Sequence, residues 1–113
     1  MKTGLIATGC FALVTLLGGR MLVAADKAGD ATKGKEVFEQ CGVCHNADSE
    51  EKGEKMGPGL KGLFKRAKLK NGKKVTDENV KAIINQGGQG MPPFSDMLSD
   101  EERANVLAYL KTL

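Results

Sequence analysis

Tryptophan is absent from this chain of 113 residues, and with one Tyr and four Phe the aromatics amount to only 4% of it. Large aromatic side chains supply much of the buried area of small cores, so a core made from these residues alone is thin. Histidine occurs once, at position 45, and cysteine three times. A structural zinc site wants four Cys or His ligands; here one His and one Cys pair leave only Cys10, which lies in a segment with the features of a removable leader. Alternating or β-branched apolar runs are missing, which argues against a sheet and with it against a thioredoxin-like module. No internal repeat points to a solenoid or propeller. The basic residues are not interleaved with aromatics, so the usual nucleic-acid signature is lacking. Finally, the apolar stretch from Leu5 to Gly19 is interrupted by Arg20 and falls short of the roughly 20 residues of a membrane span.

What the chain does hold is Cys41-Gly42-Val43-Cys44-His45. The pattern Cys-x-x-Cys-His is the attachment signature of a c-type haem. On a helix advancing about 100° per residue, positions 41, 44 and 45 fall near 0°, 300° and 40°, so two sulfurs and one imidazole share a face. Two thiols can then add to the two haem vinyl groups while the imidazole reaches the iron. A redox dithiol is the other reading of such a pair; it is disfavoured by the missing sheet.

The N-terminal segment fits export. Lys2 gives a positive start, Gly4 to Leu17 an apolar core, and Val23-Ala24-Ala25 small residues where a signal peptidase reads. Residues 1–25 are therefore expected to be a cleaved leader, with retention as an anchor, or lipidation at Cys10, as the weaker alternatives. Removing 25 of 113 residues leaves 88, a single domain with little core of its own, for which a covalent haem would serve as apolar centre. Loss of Lys2 and Arg20 lowers the formal charge of +3 by two, and the headline basicity does not argue for nucleic acid.

Residues 26–113 read as helices joined by long loops. Asp30 is a candidate N-cap for a helix running through Gly34, Val37 and Phe38 into the haem motif. Asn46 to Gly59 is polar and contains glycine, a loop composition. Thr76 followed by Asp77 and Glu78 starts a second helix, with negative charge at the positive end of the dipole; Val80, Ile83 and Ile84 share its apolar face and Gly87-Gly88 ends it. Ser99 to Glu102 forms a capping box, behind which Val106, Leu107, Leu110 and Leu113 recur at helical spacing to the terminus. The expected class is all-α, three to four helices around one haem.

Taken together the residues resemble the class I c-type cytochromes. Gly34 and Phe38 precede the Cys41-to-His45 motif; Gly57-Pro58-Gly59-Leu60-Lys61-Gly62-Leu63-Phe64-Lys65-Arg66 follows; then come Met91-Pro92-Pro93-Phe94 and a final helix ending Leu107-Ala108-Tyr109-Leu110-Lys111. The Gly57 to Arg66 stretch is similar to the corresponding loop of mitochondrial cytochrome c, although the chain is shorter between Arg66 and Met91 and lacks the Trp found there. The resemblance implies the cytochrome c fold and one haem c attached through Cys41 and Cys44, with His45 as proximal ligand and the Pro58 carbonyl accepting from its other ring nitrogen. It also implies haem contacts at Gly57, Leu60 and Arg66, the last to a propionate, and a crossing of the first and last helices at Gly34 with Phe38 against Leu107 with Tyr109 or Leu110.

With His45 used, a thioether is the remaining soft ligand, and beyond the leader only Met56, Met91 and Met97 carry one. Met56 stands next to the Gly-Pro turn on the His45 side. Met97, just before the Ser99 cap, reads as a core residue or one leading into the helix. Met91, in a stiff Gly- and Pro-flanked loop, is the expected sixth ligand, so that His45 and Met91 are the metal ligands. Two strong axial ligands leave no open position for a substrate and point to a one-electron carrier between redox proteins rather than an enzyme. The alternatives are a haem subunit of a dehydrogenase or oxidase complex, or a ligand-binding or catalytic haem domain with a displaceable sixth ligand. Between Glu54 and Asp77 lie eight basic residues and no acid, Lys55, Lys61, Lys65, Arg66, Lys68, Lys70, Lys73 and Lys74. Such a run is either a solvated loop or a docking face for an acidic redox partner. The expected setting is periplasmic or otherwise exported, with no stable membrane insertion after cleavage.

Overall fold

The computed structural model describes residues 28–50, 53 and 55–113; the expected leader and its cleavage point lie outside the described residues. Three α-helices, α1 (Ala31–Cys41), α2 (Asp77–Gln86) and α3 (Asp100–Leu110), and one 3-10 turn (Leu63–Lys65) make up the regular structure, with no strand among the described residues. None of these helices is long and apolar enough to cross a membrane.

Each helix begins at the cap its sequence announces. The Asp30 carboxylate accepts from the backbone N–H of Thr32 at 2.8 Å and of Lys33 at 3.2 Å. Thr76 Oγ1 accepts from Asn79 N at 3.2 Å. Ser99 and Glu102 close a reciprocal box at 3.1 and 2.8 Å, satisfying two donors that a bare helix start leaves open. The ends are less regular. Helix α3 stops at Leu110 rather than running to the terminus, because Leu113 turns away and its carbonyl accepts from Gly62 N at 3.0 Å.

The core consists of Phe38 from α1, Leu63, Val80 and Ile84 from α2, Phe94, Leu98, and Val106 and Leu110 from α3. Ile83 is only half-buried. Met97 does not belong to this core: it is 60% exposed, and its neighbour Leu98 takes the inward position, its N–H bonded to Phe94 O at 3.0 Å.

Helices α1 and α3 cross at small residues. A Cβ on Gly34 would lie 1.9 Å from the Asn105 carbonyl oxygen and 2.9 Å from Tyr109 Cβ, and one on Gly29 would lie 1.9 Å from Ala104 O. One turn further, the Phe38 and Tyr109 rings pack at 5.2 Å, tilted by 58°. Gly34 therefore faces Asn105 and Tyr109, whereas Leu110 is buried in the core and Leu107 packs half-buried against it. Asn105 is the buried polar residue of the crossing, its Oδ1 accepting from Asp30 N at 2.7 Å, so the cap of α1 is tied directly to α3. Gly34→Ala should consequently destabilise the holoprotein by about 3 kcal/mol, the upper end of ordinary overpacking. Helix propensity alone would favour Ala by about 1 kcal/mol. Denaturant unfolding reads the sign: a stabilised variant would mean that the helices can part without cost.

Candidate haem site

Helix α1 ends at Cys41, so the three motif residues do not all lie on regular helix as the 100° spacing assumes. The turn is nonetheless kept. Gly42 remains right-handed at φ −59°, ψ −18°, and Cys44 N and His45 N both donate to the Cys41 carbonyl, at 3.0 and 2.9 Å. The carbonyls left without helical partners are taken by a side chain: Lys55 Nζ donates to Gly42 O at 2.5 Å and to His45 O at 3.3 Å. An ammonium at the negative end of a helix satisfies orphan carbonyls and the dipole together. Nothing in the sequence separates this half-buried lysine from the others of its run.

The imidazole is held from both sides. His45 Nδ1 lies 2.8 Å from the Pro58 carbonyl oxygen, which can only accept, so this nitrogen donates, and in the neutral tautomer with that bond the lone pair is on Nε2. Gly57 packs against the ring: a Cβ there would sit 2.5 Å from Cε1 and 2.7 Å from Nδ1. Its N–H donates to Cys44 O at 2.8 Å, fastening the Gly-Pro turn to the motif. Leu60 N bonds Asn46 O at 2.8 Å, and the Leu60 side chain packs half-buried on the core. Arg66 folds back over the same loop, its Nη2 donating to Gly59 O and Lys61 O at 2.8 Å each and to Glu50 O at 3.4 Å.

Cys41 and Cys44 are free thiols, both half-buried. Burial pushes the Cys41 thiol up from its ordinary value; a backbone hydrogen bond opposes the shift and the neighbouring Cys44 adds to it. Met91 is half-buried against the core. It follows a tight turn in which Gly88 and Met91 exchange hydrogen bonds of 2.9 and 3.0 Å, and the chain beyond is pinned to α2 by Phe94 N bonding Ile84 O at 2.9 Å. Met56 is 76% exposed.

These residues fit a haem. The donor set offers two thiols and an imidazole whose Nδ1 is already engaged with Pro58, leaving Nε2 for a ligand bond. A layer of apolar side chains, Ala47, Leu60, Phe64, Leu69, Val75 and Met91 among them, packs on the core without being fully covered and offers apolar surface for a porphyrin.

A Cys-x-x-Cys-His turn at the end of the first helix of an all-α domain defines a c-type haem protein. Residues 31–113 match the Cytochrome c family model. The chain is 30% identical to cytochrome c2 of Rhodospirillum rubrum, over its full length and 99% of that protein. It is 33% identical to cytochrome c of Chlamydomonas reinhardtii, over 74% of this chain and 89% of that one. The solved structure of cytochrome c6 from the diatom Phaeodactylum tricornutum superposes with a TM-score of 0.59 at 28% identity, covering 74% of this chain and 93% of the other. The chain belongs to the cytochrome c family. It is a monohaem class I c-type cytochrome, an electron carrier rather than an enzyme, holding one haem c covalently through Cys41 and Cys44 and exchanging electrons with partner proteins.

Proposed function

We propose that the protein is an exported one-electron shuttle in which His45 and Met91 occupy both axial positions of the haem and the lysine run docks an acidic redox partner. The observation that carries this reading is the imidazole pinned by Pro58 and Gly57, its Nε2 left as the ligand atom. When bound, haem c supplies a one-electron Fe(III)/Fe(II) couple. The chain's own contribution is rigidity: Cys41 and Cys44 tether the group, Pro58 fixes the ring and tautomer of His45, and Leu60 with its apolar neighbours excludes water. Arg66 is placed to meet a propionate from a loop that it also ties together. Held by a His nitrogen and a thioether, the iron would keep no position for a substrate, which supports outer-sphere transfer, and such a pair would raise the potential relative to harder ligation.

The lysines are presented by a folded turn. Leu69 N bonds Lys73 O at 2.8 Å, Gly72 N bonds Leu69 O at 2.9 Å, and Lys73 N bonds Asn71 Oδ1 at 3.0 Å. Lys68 and Lys74 pair as an antiparallel bridge, and Lys68, Lys70, Lys73 and Lys74 are all exposed. Charges fixed on a turn present a defined field to a partner of opposite sign, which steers brief encounters. The test uses protein recovered from the exported fraction, whose first residue should be Asp26. Its electron-transfer rate with the natural partner should fall as salt rises past the point where the screening length is about 8 Å. Changing the four lysines to Glu should slow the low-salt rate roughly tenfold or more without altering the visible spectrum. A rate flat in salt and indifferent to the reversals would leave docking to the apolar rim of the haem.

A further inference from the structure

We infer that Gly87 is a positioning residue for the sixth ligand, a backbone seat whose lack of a side chain sets how close the Met91 segment lies to the end of α2. The inference rests on the reading of Met91 as axial ligand and concerns what holds it. Gly87 closes α2, its N–H bonded to Ile83 O at 2.7 Å, with φ 64° and ψ −154°, a conformation open essentially to glycine alone. The chain then reverses at once. Gly88 has φ 130°, Gln89 φ 53° and Gly90 φ 90°, and Gly88 and Met91 exchange both backbone hydrogen bonds. Two left-handed central residues between a mutually bonded pair make a two-residue hairpin of the primed kind, which fixes register tightly.

This tight turn lays the ligand segment directly on Gly87. A Cβ on Gly87 would stand 2.3 Å from Met91 O, 2.7 Å from Pro92 C and 2.8 Å from Pro93 N. All three are backbone or ring atoms, so no side-chain rotation relieves the clash. The segment cannot swing away freely either: Met91 O is bound to Gly88 N, Pro92 and Pro93 are stiff, and Phe94 N is anchored on Ile84 O. A single methyl on Gly87 must therefore move the Met91 backbone and carry its sulfur with it. The other positive-φ glycines of this region differ. Gly88 and Gly90, like Gly72 in the distant lysine turn, have nothing within 4 Å of a built Cβ, so Ala at those positions costs backbone strain alone.

The contrast between Gly87 and Gly72 gives the experiment, made on holoprotein. Gly87→Ala should lose or strongly weaken the iron–sulfur charge-transfer band and bind cyanide roughly ten- to a hundredfold more tightly, the equivalent of a moderate backbone strain released by letting the ligand go. Gly72→Ala, which also puts a side chain at positive φ but meets no clash, should melt earlier yet keep the band and the native cyanide affinity. Met91→Ala, measured alongside, separates the two claims. If it keeps the band, the axial reading itself is wrong. If it loses the band while Gly87→Ala keeps both band and native cyanide affinity, Met91 is the ligand and Gly87 merely ends a helix. Equal loosening by Gly72→Ala would reduce the effect to general destabilisation and overturn the inference. Gln89→Gly removes the one non-glycine positive-φ residue among those described and is recoverable even if Gly87→Ala is not. It should keep the band and bind cyanide no more tightly than the native protein; tighter binding would mean that the Gln89 side chain, not the backbone seat, holds the ligand.

Discussion

Replacing both Cys41 and Cys44 with Ala should give a chain that retains no haem through denaturing electrophoresis and loses most of its helical signal. The first outcome follows from the tether: with both sulfurs gone, only coordination and apolar contact remain. The second follows from the core. Among the described residues eight apolar ones are buried, drawn from segments as far apart as Phe38 and Leu110, and a core so small resembles those of mini-domains, which rarely supply more than about 3–5 kcal/mol. A second set, among them Leu60, Phe64, Leu69, Val75 and Met91, is only half-covered; a porphyrin bound against it would complete that burial, worth up to about 1.5–3 kcal/mol per residue. Without that contribution the ordering entropy of the long loops wins. Circular dichroism and electrophoresis read the two outcomes separately. Colour that survives electrophoresis in the double variant would sink the covalent assignment, and a well-folded colourless chain would show that the polypeptide core suffices.

The features that the sequence announced are those whose chemistry is local. Asp30, Thr76 and Ser99 each cap a helix within three residues of themselves, and the Cys-x-x-Cys-His turn is one hydrogen-bonded loop. The proline acceptor for His45, 13 residues away, was implied only by family likeness; its 2.8 Å bond comes from the folded chain. Three things were not legible. Met97 and Leu98 are adjacent apolar residues in an irregular segment with no period to say which points inward. Lys55, hidden in a run of basic residues, caps the haem-motif turn through carbonyls that become free only because α1 stops at Cys41. Asn105 looks like a surface residue of α3 until Asp30 N arrives to occupy its oxygen. In each case the deciding neighbours are brought up by folding, from 10 residues away for Lys55 to 75 for Asn105, and periodicity along the chain does not name them.

Met91→Ala should abolish the iron–sulfur charge-transfer band, lower the reduction potential and open the iron to cyanide. Axial ligands set haem potentials over about 0.8 V, so the drop should stand well outside the error of a redox titration. The paired control is Met97→Ala. As a buried residue Met97 would have cost about 2–5 kcal/mol to truncate; at 60% exposed it should cost within about 0.5 kcal/mol and leave band and potential unchanged. Met56, 76% exposed beside the Gly57-Pro58 turn, should behave as Met97 does. The assignment to Met91 rests on its place: half-buried against the core, on a segment held by Gly88 behind it and by the Phe94 to Ile84 bond ahead of it. A thioether so confined surrenders little further freedom on binding iron, which is how a weak ligand becomes a lasting one. Loss of the band in the Met97 variant with its survival in the Met91 variant would reverse the assignment, and it would put the sulfur on the residue leading into α3.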